Sequence, residues 1–254
     1  MAAARAELAA RAEDMREMRS GCQLAAGGKQ NLLGRFPLNV EIVREYSQFM
    51  NQDYSDLLLG TAMEKGGLSI QETSNFASLF TTACHKHVEE HLAISRQHFA
   101  AALGGALGGA LGPQVETLLL KCLQARQAEI IPDNDTTVKA VFLQMWNALA
   151  GSKHPVPAVA RLVQQEPADP TLKKCAGALV RVLARVALSD PPLRADVAVV
   201  GEPVPYSKEQ HELMDGNLKV GRQCLVLLPP LTGPDPEGSR KQVKVRAAVL
   251  ESQG

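Results

Sequence analysis

Rings are scarce in this chain. Aromatic residues make up only 4% of its 254 residues, with one Trp, three Tyr and six Phe. A core this poor in aromatics has to be assembled from Leu, Val and Ala, which suits closely packed helices better than β-sandwiches. Net charge is missing as well, since 27 basic residues balance 27 acidic ones. Proteins that coat nucleic acid carry excess positive charge because phosphate neutralisation supplies their affinity, so no nucleic-acid partner is expected for the chain as a whole. The longest uncharged apolar run, Phe99 to Gly112, is too short to cross a bilayer, and no membrane span is expected. The opening stretch MAAARAELAARAEDMREMRS has no apolar core of a signal peptide, and Glu7, Glu13, Asp14 and Glu17 make it too acidic for a transit peptide. The five cysteines, Cys22, Cys84, Cys122, Cys175 and Cys224, are odd in number and contain no Cys-x-x-Cys. They read as reduced thiols in a cytoplasmic or nuclear protein. There is no G-x-S-x-G, no Walker loop and no G-x-G-x-x-G, so neither a nucleophile elbow nor a phosphate cradle is indicated, and no cofactor is expected.

Apolar residues are plentiful at 45%, enough for a full-sized core. The expected fold class is mainly α: a helical bundle or short helical-repeat stack with a small β-containing C-terminal tail. Residues 2–19 read as a helix of strong formers. A second helix follows Pro37, capped by Asn39, with Ile42, Val43, Tyr46, Phe49 and Met50 at helical spacing. A short helix over 55–63 ends at Gly66-Gly67. Ser69-Ile70-Gln71-Glu72 is a capping box that opens a long helix with Phe76, Leu79, Phe80, Ala83, Val88 and Leu92 as its apolar stripe. In Ala102 to Pro113 a four-residue Gly-containing motif occurs three times. It fits either a glycine-faced helix or an apolar loop. Helices are further expected over 115–128, 156–165 and 171–188. Twelve of the fifteen prolines lie at or beyond Pro155, and short strands are expected at 197–200, 223–228 and 242–249, the last two pairing across the loop 232–239. This divides the chain into an N-terminal helical region (1–112), a helical-repeat region (113–195) and a Pro-rich tail (196–254).

The most informative positive feature is a near-repeat. Asp135-Thr136-Thr137-Val138-Lys139 leads into an apolar helix closing on Leu149-Ala150, and Asp169-Pro170-Thr171-Leu172-Lys173 leads into another closing on Leu183-Ala184. Self-similarity at such a period indicates stacked helical units that bury their apolar faces against each other. With the short helix 156–163 between them, residues 132–190 resemble armadillo- or HEAT-type repeats. The resemblance implies a stack of helix pairs offering a surface to a protein partner. A plain helical bundle with two similar helices is the competing reading.

Two clusters are candidates for chemistry. His87-Val88-Glu89-Glu90-His91 matches the H-x-x-E-H pattern of inverted zinc proteases, and Cys84 falls on the same helical face as His87 and His91. Those three would be the ligands, Glu90 the base and Glu166 a distant candidate fourth group; an ordinary His cluster beside the core is the plainer reading. Between Lys139 and Arg194 there are eight Lys/Arg and three acids. Lys174, Arg181 and Arg185 share one face of the second repeat helix and would dock an acidic peptide or a phosphate backbone; a solvated face is the plainer reading. Pro203-Val204-Pro205 and Pro229-Pro230 would serve as contact arms. The expected function is a non-enzymatic scaffold, adaptor or complex subunit that binds another protein through a helical surface. The alternatives are a zinc-dependent hydrolase and an RNA-binding helical nucleoprotein.

Overall fold

The computed structural model describes residues 37–107, 113–125, 134–151, 156–165, 170–214, 217–234 and 241–251. The expected helix 2–19, the end of the Gly repeat at 108–112 and Glu166 lie outside the described residues. The chain is mainly α-helical with a C-terminal region of two small sheets. It forms two compact units. One comprises Leu38–Glu89 and Ile131–Gly254, and the described part of the other is Pro37 with residues 90–107 and 113–125.

Helix α1 (Asn39–Phe49) starts from Leu38, whose N–H donates to the Glu41 carboxylate at 2.7 Å. Asn39, expected as the cap, instead donates its side-chain amide to the Pro191 carbonyl at 2.7 Å. No break precedes residue 55. The chain continues into two π-wound segments, Met50–Tyr54 and Asp56–Lys65. The Gly66 N–H donates to the Thr61 carbonyl at 2.9 Å, the i→i−5 bond that defines this winding. Gly67, with φ +64°, then turns the chain out of the helix.

The winding has a visible correlate. Tyr46 and Tyr54 are fully buried, and both send their hydroxyls to the same stretch of backbone: Tyr46 to the Pro229 carbonyl at 2.7 Å, Tyr54 to the Leu227 carbonyl at 2.6 Å. Eight residues of α-helix, at 3.6 per turn, would splay the two rings by about 80°. A helix closed by i→i+5 bonds turns once in about 4.4 residues, so switching to it at Met50 brings the second ring back onto the face of the first. Thr81 lies 3.0 Å from the Tyr54 hydroxyl and ties the next helix to the same point.

That helix is α2 (Ile70–Leu107). Its capping box forms as expected: the Ser69 N–H donates to Glu72 at 2.9 Å, and the Glu72 N–H donates to the Ser69 hydroxyl at 3.3 Å. The Ser69 N–H, and the Ser69 hydroxyl that donates to the same carboxylate at 2.8 Å, hold the Glu72 carboxyl below its usual range. Phe76, Ala77, Phe80, Ala83, Cys84, Val88 and Leu92 are buried, and residues 102–107 of the Gly repeat are helical. In the smaller unit α3 (Pro113–Ala125) buries Cys122 and Leu123.

The two look-alike segments are both 18-residue helices, α4 (Asn134–Gly151) and α6 (Pro170–Ala187), joined through the short α5 (Pro157–Gln165). They pack against each other. Asp135 and Lys173 pair at 3.8 Å, which places their N-terminal turns side by side. α4 buries Thr137, Val138, Val141, Phe142 and Met145. α6 is the hub of the larger unit: α1, both π segments and α4 all rest on it, and Leu172, Cys175, Ala176, Leu179, Val182, Leu183 and Val186 are among its buried residues.

The C-terminal strands are β1 (Arg194–Ala195), β2 (Pro203–Pro205), β3 (His211–Leu213), β4 (Gln223–Leu228), β5 (Leu231–Pro234), β6 (Lys241–Val245) and β7 (Ala247–Glu251). They make a three-stranded sheet, β1-β5-β6, and a four-stranded sheet, β2-β4-β7-β3, in which only β3–β7 is parallel. The strand expected at 223–228 forms, and that expected at 242–249 is split between the two sheets. Pro229-Pro230 and Arg246 are the reason: on both sides of one long ribbon the chain leaves the first sheet and enters the second. Val197–Val199 is a 3₁₀ turn and not a strand, because the Asp196 side chain accepts the Ala198 N–H and closes the turn. Gly201 (φ +88°) then passes α2 so closely that a Cβ there would stand 3.2 Å from that of Ser78.

Burial pushes the Tyr46 and Tyr54 phenols well above their ordinary value of 10.0. The folded state therefore keeps protons that the unfolded chain releases above about pH 10. Stability contributed by the neutral phenols is fully present below that pH and falls as the pH rises beyond it. Tyr54→Phe should destabilise the protein by about 1–3 kcal/mol at neutral pH, because the Leu227 carbonyl loses its donor. The Tyr46→Phe/Tyr54→Phe protein should show a shallower alkaline decline in its denaturant midpoint than the wild type.

Candidate functional site

The three cations expected to share a docking face are handled separately by the structure. The Arg185 guanidinium donates to both carboxylate oxygens of Glu45 on α1, at 2.6 and 2.5 Å, with the two side chains 25% and 31% exposed. Lys174 reaches Asp53 in the first π segment at 2.6 Å. The hydrogen bond that Lys174 donates to the Asp53 carboxylate, and then the charge of that carboxylate, raise the Lys174 ammonium above its usual value. Arg181 is exposed and has no ion-pair partner among the described residues. The 3.6 period correctly placed these side chains on one face of α6. It did not reveal that α1 and the π segments rest against that face.

The zinc candidates Cys84, His87 and His91 fall on α2 as expected. Cys84 and His87 are buried, His91 is half-buried and Glu90 is exposed. His85 pairs with Glu89 at 3.6 Å. Burial pushes the Cys84 thiol far up, away from the thiolate a metal needs. Among the described residues, no three His, Cys, Asp or Glu side chains converge on a point where a metal could sit. The expected contact arms are also built into the fold. Pro203-Val204-Pro205 is β2, paired antiparallel to β4, and Pro229 is buried, its carbonyl accepting from Tyr46.

Two surface features stand out instead. The first is the outer face of α4. Leu143 is 60% exposed and Trp146, the single Trp of the chain, is 39% exposed, while Val138, Val141, Phe142 and Met145 on the adjoining side are buried. Lys139 and Ala150 extend this stripe by a turn in each direction, and both are exposed. The second is a cleft of about 430 Å³ between the π segments and the start of α6, lined by Asp53, Asp56, Gly60, Thr61, Lys65, Pro170, Thr171 and Lys174. No sequence signal marked this cleft, because a 3.6-residue period puts Asp56 and Lys65 on opposite sides of their helix.

No family model, no curated protein and no solved structure matches the chain. Among the described residues, no helix is long and apolar enough to cross a membrane.

The two ion pairs differ in burial, and this predicts a difference in strength. A double-mutant cycle on Arg185 and Glu45, read by denaturant unfolding, should give a coupling of about 1 kcal/mol or more. The same cycle on Lys174 and Asp53, where the lysine side chain is 72% exposed, should give about half a kcal/mol or less.

Proposed function

We propose that this chain is a non-enzymatic adaptor or complex subunit that takes a partner protein on the outer face of α4. The observation that carries this reading is the exposure of Leu143 and Trp146 on one side of a helix whose other side is core. Tryptophan is the residue most enriched among interface hot spots, where it fills a pocket and loses its water. The partner is an acidic, amphipathic segment. Its apolar anchors cover Leu143 and Trp146, and a carboxylate meets the exposed Lys139 one turn before Leu143.

The α4–α5–α6 arrangement supports treating this region as a degenerate armadillo/HEAT-type unit, since two look-alike helices begin side by side and pack. Cys84, Cys122, Cys175 and Cys224 are all buried and none forms a disulfide. This is compatible with a reducing cytoplasmic or nuclear setting. No observation favours the hydrolase or the nucleoprotein reading over this one.

The test is affinity capture with the full chain, comparing the wild type with Leu143→Ser/Trp146→Ala, followed by reconstitution with each co-purifying protein. The expected outcome is one partner whose binding weakens by roughly 30-fold or more in the variant, with an unchanged melting temperature. Equal binding of every reconstituted partner by the two proteins would remove the α4 face from the account.

A further inference from the structure

The cleft beside the π segments is independent of the α4 face, and its charges are arranged by the unusual winding itself. From Asp56 to Lys65 is nine residues. In an α-helix that is about two and a half turns, which would put the two side chains on opposite sides. At about 4.4 residues per turn it is close to two whole turns, so both project along one line. Gly60 and Thr61 lie between them on that line. Gly60 leaves the middle bare: a Cβ built there would meet nothing within 4 Å. Long π segments are rare because their bonding geometry is poorer than that of an α-helix, and they concentrate at functional sites.

The result is a polar trough with a carboxylate at one end and an ammonium at the other. At the acidic end Lys174 pairs with Asp53 at 2.6 Å and also feels the charge of Asp56, while the exposed Asp56 makes no direct ion pair of its own among the described residues. Lys65, at the other end, is exposed and has none either. Thr61 and Thr171 supply hydroxyl-bearing walls, and α6 begins at Pro170 on the far side. Two turns separate the ends by on the order of 10 Å. The cleft volume, about 430 Å³, falls within the range of small-molecule sites.

We propose that this cleft binds a short zwitterion, its ammonium on Asp56 and its carboxylate on Lys65, in the manner of a tripeptide with free termini. Three extended residues span about 10 Å, which matches the trough. The uncharged middle of such a ligand lies over Gly60, where a side chain would stand in its way.

The probe is triglycine, titrated into the full-length protein and followed by amide chemical shifts and calorimetry. Saturable shifts are expected at Asp56, Gly60, Thr61 and Lys65. Blocking either terminus of the peptide, by N-acetylation or C-amidation, should weaken binding about tenfold, the loss expected for one charge-assisted contact. Asp56→Asn and Lys65→Gln should each do the same, without unfolding the protein, because both side chains are exposed. Gly60→Leu should abolish binding by filling the trough. The proposal is overturned if triglycine causes no saturable shifts at these positions, or if the doubly blocked peptide binds as well as the free one. It is equally overturned if the three variants bind like the wild type.

Discussion

Two buried phenol hydroxyls, those of Tyr46 and Tyr54, end on neighbouring carbonyls of one strand exit, Pro229 and Leu227. Each bond joins residues more than 170 positions apart in sequence. Neither hydroxyl has access to water, so each has to find a protein acceptor, and so do the carbonyls. That shared need fixes the rotation of one tyrosine relative to the other, and an α-helix of eight residues cannot supply it. The π winding of Met50–Tyr54 and Asp56–Lys65 is the solution the chain adopts. It keeps Tyr54 over Leu227, buries Leu57, Leu58 and Ala62, and leaves a line of polar residues facing outwards.

The consequences reach the surface through α6. Because α1 and the π segments lie along it, cations on that side find carboxylates there: Arg185 pairs with Glu45, and the more exposed Lys174 with Asp53. A helix with ten buried residues in 18 is a core element, and its polar residues serve the packing of its neighbours. α4 is different. It meets α5 and α6 on one side, and its other side carries Leu143 and Trp146 in the open. The proposed adaptor role therefore falls to the first of the two look-alike helices. The sequence had pointed to the second.

Much of the fold was readable beforehand, where local chemistry dominates. The capping box at Ser69, the 3.6-residue stripe of α2, the two look-alike helices and the strand 223–228 follow from periodicity and end signals that tertiary contacts reinforce. What escaped the reading depends on contacts distant in sequence. Asn39 has the side chain of a cap, yet the Pro191 carbonyl claims it. The run 242–249 alternates like one strand, yet Pro229-Pro230 across from it forces the ribbon into two sheets. The trough was illegible for the same kind of reason. No propensity scale signals a π segment, and every spacing rule applied to residues 50–65 assumed the wrong number of residues per turn. The exposed Trp146 was visible as a residue but not as a surface, because the apolar residues of its helix are spread around more than one face and only packing decides which are left out.

The claim on which all this turns is that residues 50–65 are wound by i→i+5 bonds held in register by the two tyrosines. Scalar coupling across hydrogen bonds, measured by NMR, identifies the acceptor of each amide directly. The account predicts that the Gly66 amide couples to the Thr61 carbonyl in the wild type and moves to Ala62 when both tyrosines are replaced by Phe. A Gly66 amide already coupled to Ala62 in the wild-type protein would contradict it.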